Sequence, residues 1–357
     1  MAETEPVDKN NRVSRRQFLI TSAGTVGLSL LTGCGIPLPT VAPATRMRED
    51  LSQEIKFFAA QRPTTYLQAI VAGEKGIFRD HGITVDRIIQ TNPLQNMATD
   101  HMALRATVGV AGLIPYMHAS AAGADLVWFG SEFNNAPFVF LTRLDPNQTT
   151  EKLKVGIQST GHDTHLITEM ILPLIGIPRD RVIWEPGGTP QTRLEFLGDG
   201  RLDAAVSDTG SWRVFEPRLR PRGVKPVFDT YDPNNPFTKQ AHFPIALFAS
   251  RAYLKDNSDK MRRLLIALGE AGDQIVKDPQ GAADALVKSG SVNPARAAIE
   301  IKLFSDGYSN PLQVTPNRQI VEAFLSVINT NNEEEGNERL KLDIDHFVYA
   351  DIASKVK

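Results

Sequence analysis

The feature that most constrains the fold is an alternation of short apolar runs with stretches of helical periodicity, which starts at Ile55 and is repeated later in the chain. Strand-like runs separated by helices are typical of βαβ units, which form mostly parallel sheets with helices on both faces. The predicted strands are Ile55–Ala60, Thr84–Ile89, Thr107–Ala111, Leu126–Gly130, Phe138–Leu141, Leu153–Ile157, Val182–Glu185, Ala204–Ser207, Val224–Asp229 and Phe243–Ala249. The predicted helices are Tyr66–Phe78, Pro115–Ala122, His162–Ile175, Pro190–Leu197, Val214–Leu219, Asp259–Val276, Gln280–Lys288, Pro294–Phe304 and Pro316–Asn329.

The repeat divides the chain into two α/β lobes. An extended crossing near Leu141–Asp145 would leave the first lobe, and a second crossing near Gln240–Phe243 would return to it. We therefore predict a discontinuous first lobe over 54–142 and 243–357 with a helical C-terminal tail, and a second lobe over 143–242. Parallel sheets bind ligands beyond the carboxyl ends of their strands, so the cleft between the lobes is the predicted binding site. We expect Glu333–Glu335 to form a solvated bend.

Composition excludes several classes of protein. The 357 residues include 39 basic and 41 acidic side chains, and this balance argues against a nucleic-acid binder, which needs a basic surface. Cys34 is the only cysteine, which excludes a disulfide scaffold and cysteine-based zinc sites. No apolar run reaches the roughly 18 residues that a membrane-spanning helix needs.

The N-terminus has the pattern of an export signal. Ser14–Leu19 contains a twin-arginine pair, Phe18–Leu31 is mildly hydrophobic, and Leu31–Cys34 reads Leu-Thr-Gly-Cys. A basic segment, a short apolar segment and small residues before a cleavage point are typical of secretory signals, and paired arginines indicate the twin-arginine route. The Leu-Thr-Gly-Cys box resembles that of bacterial lipoproteins. We therefore predict a signal peptide over 1–33, lipid attachment at Cys34 and a Pro-rich tether over 34–53; a chance cysteine behind an ordinary signal is the alternative.

Several phrases of the sequence resemble one family. Ala72–Ile83, with its Glu-Lys-Gly-Ile-Phe core, is similar to a phrase that closes the first helix in exported solute-binding proteins of ABC importers. The family in question takes up nitrate, sulfonates, taurine and thiamine precursors. Pro115–Gly130, Lys154–Ile175, Leu194–Ser207 and the helices after Lys255 agree with it, so that the resemblance covers roughly Ile55 to Ile352.

The resemblance implies a two-lobed type II periplasmic-binding fold and a binding protein rather than an enzyme. Such a protein would close over a small solute and present it to a permease with its ATPase, without a cofactor, as a monomer anchored by lipid at the outer face of the cytoplasmic membrane. An exported enzyme on the same fold, such as a dehydratase, and a ligand-sensing lipoprotein are the alternatives. The sequence departs from the family at Leu104–Val108 and at Asn92–Gln95, both near the expected cleft, so the ligand class does not carry over.

In the first lobe, residues 61–66 join the first strand to the first helix. Arg62 supplies a forked cation and Thr64 a hydroxyl beside the free N–H groups of a helix start, which would suit an anionic or polar group. Tyr66 belongs to the same loop. A plain capped helix start, with Arg62 in solvent, is the alternative.

In the second lobe, Ser159–Thr164 repeats this arrangement, and the resemblance places ligand contacts in this loop. Asp163 would repel a bare oxyanion, so it is expected to cap the helix or to accept an N–H group of the ligand. His162 and His165 leave half of a metal site open as an alternative, but no spaced partner follows and no metal is expected.

Other candidates follow strand ends. Asp208 could contact ligand or cap the next helix, Glu132 could face the cleft, and Phe243 could wall it near the crossing. A small anionic or zwitterionic organic ligand, such as a sulfonate, a carboxylate or a pyrimidine, is expected. The full set of candidate ligand-binding residues is Arg62, Thr64, Tyr66, Asn92, Leu113, Glu132, Ser159, Thr160, Gly161, His162, Asp163, Asp208 and Phe243.

Overall fold

The computed structural model describes residues 54–60, 66–91, 97–103, 107–133, 136–144, 151–232, 234, 243–307 and 315–356. These residues contain two five-stranded sheets. The first sheet is formed by β1 (Glu54–Ala60), β2 (Thr84–Thr91), β3 (Val108–Ala111), β4 (Val127–Phe133) and β10 (Ile245–Ala249). The second sheet is formed by β5 (Phe138–Thr142), β6 (Leu153–Ile157), β7 (Val182–Pro186), β8 (Ala204–Asp208) and β9 (Lys225–Asp229).

Helices connect the strands and form the C-terminal part of the chain. The described helices are α1 (Leu67–Glu74), α2 (Ile77–Asp80), α3 (Met97–Ala103), α4 (Ile114–Ala121), α5 (Asp163–Ile171), α6 (Pro190–Gly198), α7 (Thr209–Leu219), α8 (Arg251–Asp256), α9 (Ser258–Lys277), α10 (Pro279–Lys288), α11 (Pro294–Gly307), α12 (Arg318–Glu334) and α13 (Ile344–Phe347). None of them combines the length and the apolar character that crossing a membrane requires.

The two sheets share one topology. The strand order is β2-β1-β3-β10-β4 in the first sheet and β7-β6-β8-β5-β9 in the second. In each sheet the fourth strand is antiparallel to both of its neighbours, and the other described pairings are parallel. That fourth strand is the one that the chain enters by crossing from the other sheet. The predicted fold, with two mostly parallel α/β lobes and a discontinuous first lobe, is therefore confirmed.

The position of the first crossing differs from the prediction. We expected the chain to leave the first lobe at Leu141–Asp145, but β5 pairs with β8 and β9 of the second sheet, so the chain crosses between Phe133 and Phe138. Every residue of β5 is buried, and an apolar run of this kind carries no local mark of which sheet it joins. The expected bend at Glu333–Glu335 is also later than predicted, because α12 continues to Glu334.

Hydrogen bonds join the two crossing segments to each other. The Ala136 N–H donates to the Phe243 carbonyl over 2.7 Å, which links the outward crossing to the return crossing. Thr230, which is buried just after β9, accepts the Phe138 N–H at 2.8 Å and donates through its hydroxyl to the Ala136 carbonyl at 2.9 Å. The Thr209 N–H donates to the Pro137 carbonyl at 2.8 Å, which ties the start of α7 to the same segment. These bonds fix where the two sheets meet.

The helices pack on the first sheet through regular apolar faces. In α9 the buried side chains recur every three or four residues, at Met261, Leu264, Leu268, Ala271 and Ile275, and this face packs against α1. Burial of each such side chain contributes about 1.5 to 3 kcal/mol relative to exposure. Helix α9 of the C-terminal part therefore packs on the first lobe, whereas α11 and α12 also contact α7 and α5 of the second lobe.

Thr230→Val removes the buried hydroxyl at nearly constant volume. We predict that this change lowers the free energy of unfolding by about 1–3 kcal/mol, because the Phe138 N–H and the Ala136 carbonyl lose this partner. Urea denaturation followed by circular dichroism measures the loss. Thr230→Ser keeps the hydroxyl, and Thr84→Val makes the same change on an exposed strand position; both should stay within about 0.5 kcal/mol of the unmodified protein. Equal losses for Thr230→Val and Thr84→Val would contradict the structural role.

Candidate functional site

A cavity of about 230 Å³ lies where the start of α4 meets the loop before α5. One wall comes from the first lobe and the other from the second lobe, so the cavity lies between them. Its volume is below that of typical drug-sized sites, which suits a small solute. The lining residues are Ile114, Pro115, His118, Ser159, Thr160, Gly161, His162 and Asp163.

Two helix N-termini open on this cavity. Helix α4 begins after Leu113 with Pro115 in its first turn, and α5 begins after His162, whose backbone is extended. Neither of these N-cap residues caps its own helix through its side chain. The first N–H groups of a helix have no intrahelical partner and carry partial positive charge. The cavity is therefore a place where both lobes can donate hydrogen bonds to an anionic group.

The loop before α5 is held from within. The Gln158 N–H donates to the Thr164 hydroxyl at 2.8 Å, and the His162 N–H donates to the Ser159 carbonyl at 3.2 Å. Gly161 has a φ of 74°, in the left-handed region that favours glycine. Its N–H donates to Nδ1 of His165 at 3.0 Å. The predicted loop residues Ser159–Asp163 thus lie together on one wall of the cavity.

Asp163 reaches across to the first lobe. Gly112 follows β3, and a Cβ atom built at this glycine would lie only 2.8 Å from Oδ2 of Asp163. A side chain at position 112 would therefore fit only if the Asp163 carboxylate moved away. Of the two roles predicted for Asp163, the cap is wrong, because His162 occupies the N-cap position and Asp163 is the first helical residue.

His165 does not share a metal site with His162 in this structure. Its ring is buried, packs edge-on against Trp184 and places Nε2 3.2 Å from Oε1 of Glu169. Glu169 in turn pairs with Arg179 at 2.8 Å. Among the residues that the structure describes, no group of three His, Cys, Asp or Glu side chains is placed to hold a metal.

The remaining candidates among the described residues do not line the cavity. Asp208 caps α7 by accepting the Ser211 N–H at 2.7 Å and pairs with Arg296 at 3.1 Å. Phe243 is buried at the return crossing, edge-on to Phe324, and Tyr66 is buried at the N-cap of α1. Leu113 is buried at the start of α4, next to the lining. Arg62, Thr64, Asn92 and Cys34, like the whole predicted signal and tether, lie outside the described residues.

Glu132 lies within β4, although we expected it to follow the strand. Its side chain is fully buried, and burial raises the pKa of its carboxyl well above the usual range, against a smaller lowering by a hydrogen bond from the Gln68 backbone. When the nitrogen of its side-chain amide is turned toward β4, Gln68 also donates to the backbone carbonyl of Glu132 at 2.9 Å. Glu132 therefore meets the first turn of α1 from inside the lobe.

The lining residues Ile114, Pro115 and His118 are ones that we did not predict. The sequence holds a sign of them, since the predicted helix at Pro115–Ala122 directly follows the predicted strand at Thr107–Ala111. A helix start at the carboxyl end of a parallel strand is the usual place for a ligand. The same reasoning that selected Ser159–Asp163 would have selected this turn.

A buried ionic cluster joins α7 to α11. Arg296 lies between Asp208 and Glu300, and it bonds to a carboxylate oxygen of each. Burial raises the pKa of Glu300 to about 7, the nearby Arg296 charge opposes this, and the Asp208 charge adds to it. The second carboxyl oxygen of Glu300 has no hydrogen-bond partner among the described residues. The fold therefore holds the pKa of Glu300 above that of a free glutamate, although Arg296 lies beside it.

Comparison with models of protein families assigns the chain to one family. The model of the family described as NMT1/THI5 like matches residues 64–282, which is more than half of the sequence. The chain belongs to the NMT1/THI5-like family. No curated protein matches the chain.

Solved structures share the fold of this NMT1/THI5-like protein at low sequence identity. The periplasmic aliphatic sulphonate binding protein SsuA from Escherichia coli is 17% identical with a TM-score of 0.63, over 83% of this chain and 92% of that one. SsuA from Xanthomonas axonopodis pv. citri, bound to MOPS, is 14% identical with a TM-score of 0.58, over 83% and 98%. The periplasmic nitrate-binding protein NrtA from Synechocystis PCC 6803 is 14% identical with a TM-score of 0.59, over 85% and 88%. The predicted family and fold are thus confirmed.

We predict that Glu300 makes the NMT1/THI5-like protein less stable as pH rises. The ordinary pKa of this carboxyl is 4.5, and its pKa in the folded protein is about 7. Between these two pH values the folded state holds a proton that the unfolded state has lost. The contribution of Glu300 to stability is therefore full below about pH 4.5 and is lost as pH rises through 7. Glu300→Gln should therefore reduce the fall in unfolding free energy between pH 5 and pH 8 by roughly 2–3 kcal/mol.

Urea denaturation at the two pH values measures this difference. Glu338→Gln removes an exposed carboxylate and serves as the control, with no change expected beyond about 0.5 kcal/mol. An identical pH dependence in Glu300→Gln and the unmodified protein would show that Glu300 is not the group that titrates.

Proposed function

We propose that this protein is the extracytoplasmic solute-binding component of an ABC importer, which captures a small anionic or zwitterionic organic solute between its two lobes. The observation that carries the proposal is the cavity at which helix N-termini from both lobes converge. A solute bound there touches both walls, so its binding favours the closed arrangement over an open one. The paired crossing segments at Ala136 and Phe243 are where such a hinge motion would occur.

The lining suggests how the solute would be held. An oxyanion can accept hydrogen bonds from the Ile114 N–H at the start of α4, where Pro115 has no N–H, from the first N–H groups of α5, and from the hydroxyls of Ser159 and Thr160. The Asp163 carboxylate on the same wall favours an N–H donor elsewhere on the solute. The similarity in fold to proteins that bind sulfonates and nitrate supports the anionic part, and Asp163 supports a zwitterion.

The partners and location follow from the same proposal. The predicted twin-arginine signal and the lipid at Cys34 would place the folded protein on the outer face of the cytoplasmic membrane. A permease there would accept the closed form, and an ATPase on the other side would drive transport. The protein would act as a monomer, without a cofactor, and would release its solute unchanged.

The proposal predicts binding without turnover. Isothermal titration with matched pairs tests it: 2-aminoethanesulfonate and ethanesulfonate, 3-aminopropionate and propionate, 4-aminopyrimidine and pyrimidine, and nitrate. We expect at least one anionic member to bind, and a bound compound at 100 times its Kd should stabilise the fold by about 2.7 kcal/mol in a thermal-shift assay. Chromatography of the recovered compound should show it unchanged. Turnover would indicate the enzyme instead, and binding by the pyrimidines alone would contradict the anionic ligand.

Gly112 offers a test of closure between the lobes. We predict that Gly112→Ala weakens binding of the tightest panel compound by about tenfold or more, because the new methyl group would overlap with Asp163 when the lobes are together. Gly73→Ala is the matched control, since a Cβ atom there meets nothing within 4 Å, and its affinity should be unchanged. Titration calorimetry of the two variants measures the difference. Unchanged affinity in Gly112→Ala would mean that binding does not require this approach.

A further inference from the structure

His165 is buried behind the loop that lines the cavity and is not itself part of the lining. Its Nδ1 accepts the Gly161 N–H at 3.0 Å, and Gly161 does line the cavity. An imidazole nitrogen that accepts a hydrogen bond carries no proton, so the neutral ring has its proton on Nε2. The loop is thus held at Gly161 by Nδ1 of His165, and this hydrogen bond fixes the tautomer of the neutral ring.

The other ring nitrogen faces a fixed carboxylate. Nε2 lies 3.2 Å from Oε1 of Glu169, one helical turn along α5; the pair lacks hydrogen-bond alignment, so this is a close polar contact. Glu169 is nearly buried and pairs with Arg179, and its second oxygen accepts a hydrogen bond from the Asn331 amide. Arg179 also bonds to Asn331 and to Glu334. Because Asn331 and Glu334 belong to α12, this helix of the C-terminal part holds Glu169 from outside the second lobe.

We infer that His165 is a positioning residue for ligand binding, which keeps the Ser159–Gly161 loop in its binding shape and connects it through Glu169 to α12. The Glu169 carboxylate lies beside Nε2 of the ring, and Nδ1 of the ring holds the Gly161 N–H. Gly161 needs this support because a left-handed glycine without a side chain has few contacts of its own. The effect on affinity rests on the proposed function, whereas the effect on the loop does not.

Two substitutions separate the two nitrogens. In His165→Asn the amide oxygen can take the place of Nδ1 and accept the Gly161 N–H, but the contact with Glu169 is lost. In His165→Gln the longer amide can reach Glu169, but the acceptor for Gly161 is lost. Both variants remove the ring from Trp184, so a purely structural role would affect them alike.

The first readout needs no ligand. Selective ¹⁵N-glycine labelling of the full chain, with the Gly161 signal assigned by its disappearance in Gly161→Ala, gives the amide exchange rate at this residue. We expect Gly161 exchange at least fivefold faster in His165→Gln and within about twofold of the unmodified protein in His165→Asn. Equal exchange rates in the two variants would overturn the proposal.

The second readout is affinity for the panel compounds, with 2-aminoethanesulfonate measured first. We expect His165→Gln to raise the Kd about fivefold to tenfold and His165→Asn to raise it less than threefold, although both have similar urea midpoints. Losses of affinity that only follow stability would overturn the positioning role. If the exchange rates differ as expected but no panel compound binds the unmodified protein, the proposed function fails and the loop support by His165 stands.

Discussion

The pairing of the two crossing segments is the constraint on which the rest of the structure depends. Ala136 and Phe243 lie on segments that run in opposite senses between the sheets, and Thr230 bonds to the first of them from the end of β9. Each bond is modest in net free energy, but each would leave a buried polar group unsatisfied if it were broken. These few bonds set how the carboxyl edges of both sheets are placed, and the cavity exists because those edges face one another.

The two lobes supply the same kind of group to the cavity. Each presents the N-terminus of a helix that follows a parallel strand, α4 after β3 and α5 after β6. The partial charges of the two helix starts add at a point between them, and the hydroxyl-bearing loop of the second lobe lies beside that point. Asp163 offsets part of this field and reaches Gly112 across the cavity. The site therefore combines donors from both sides with one acceptor, which suits a solute that bears both kinds of charge.

Local elements of the fold could be predicted from the sequence because their causes are local. The strand at Leu153–Ile157 has the predicted bounds, and the loop at Ser159–Asp163 lies at a cavity because it ends a parallel strand and starts a helix. The sheet to which β5 belongs depends on its partners β8 and β9, which lie more than 60 residues away in sequence, and no pattern within β5 reports them. Glu132 shows the same limit, since its hydrogen-bond partner Gln68 lies on another element.

The exchange of strands between the sheets has a consequence for the order in which the chain folds. All strands of the second sheet lie between Phe138 and Asp229, so they are complete in one uninterrupted stretch of chain. The first sheet begins earlier but lacks its fourth strand until Ile245–Ala249 has been synthesised. During synthesis the second sheet therefore has all of its strands before the first sheet receives β10. The first lobe begins to be synthesised before the second lobe but completes its sheet after it.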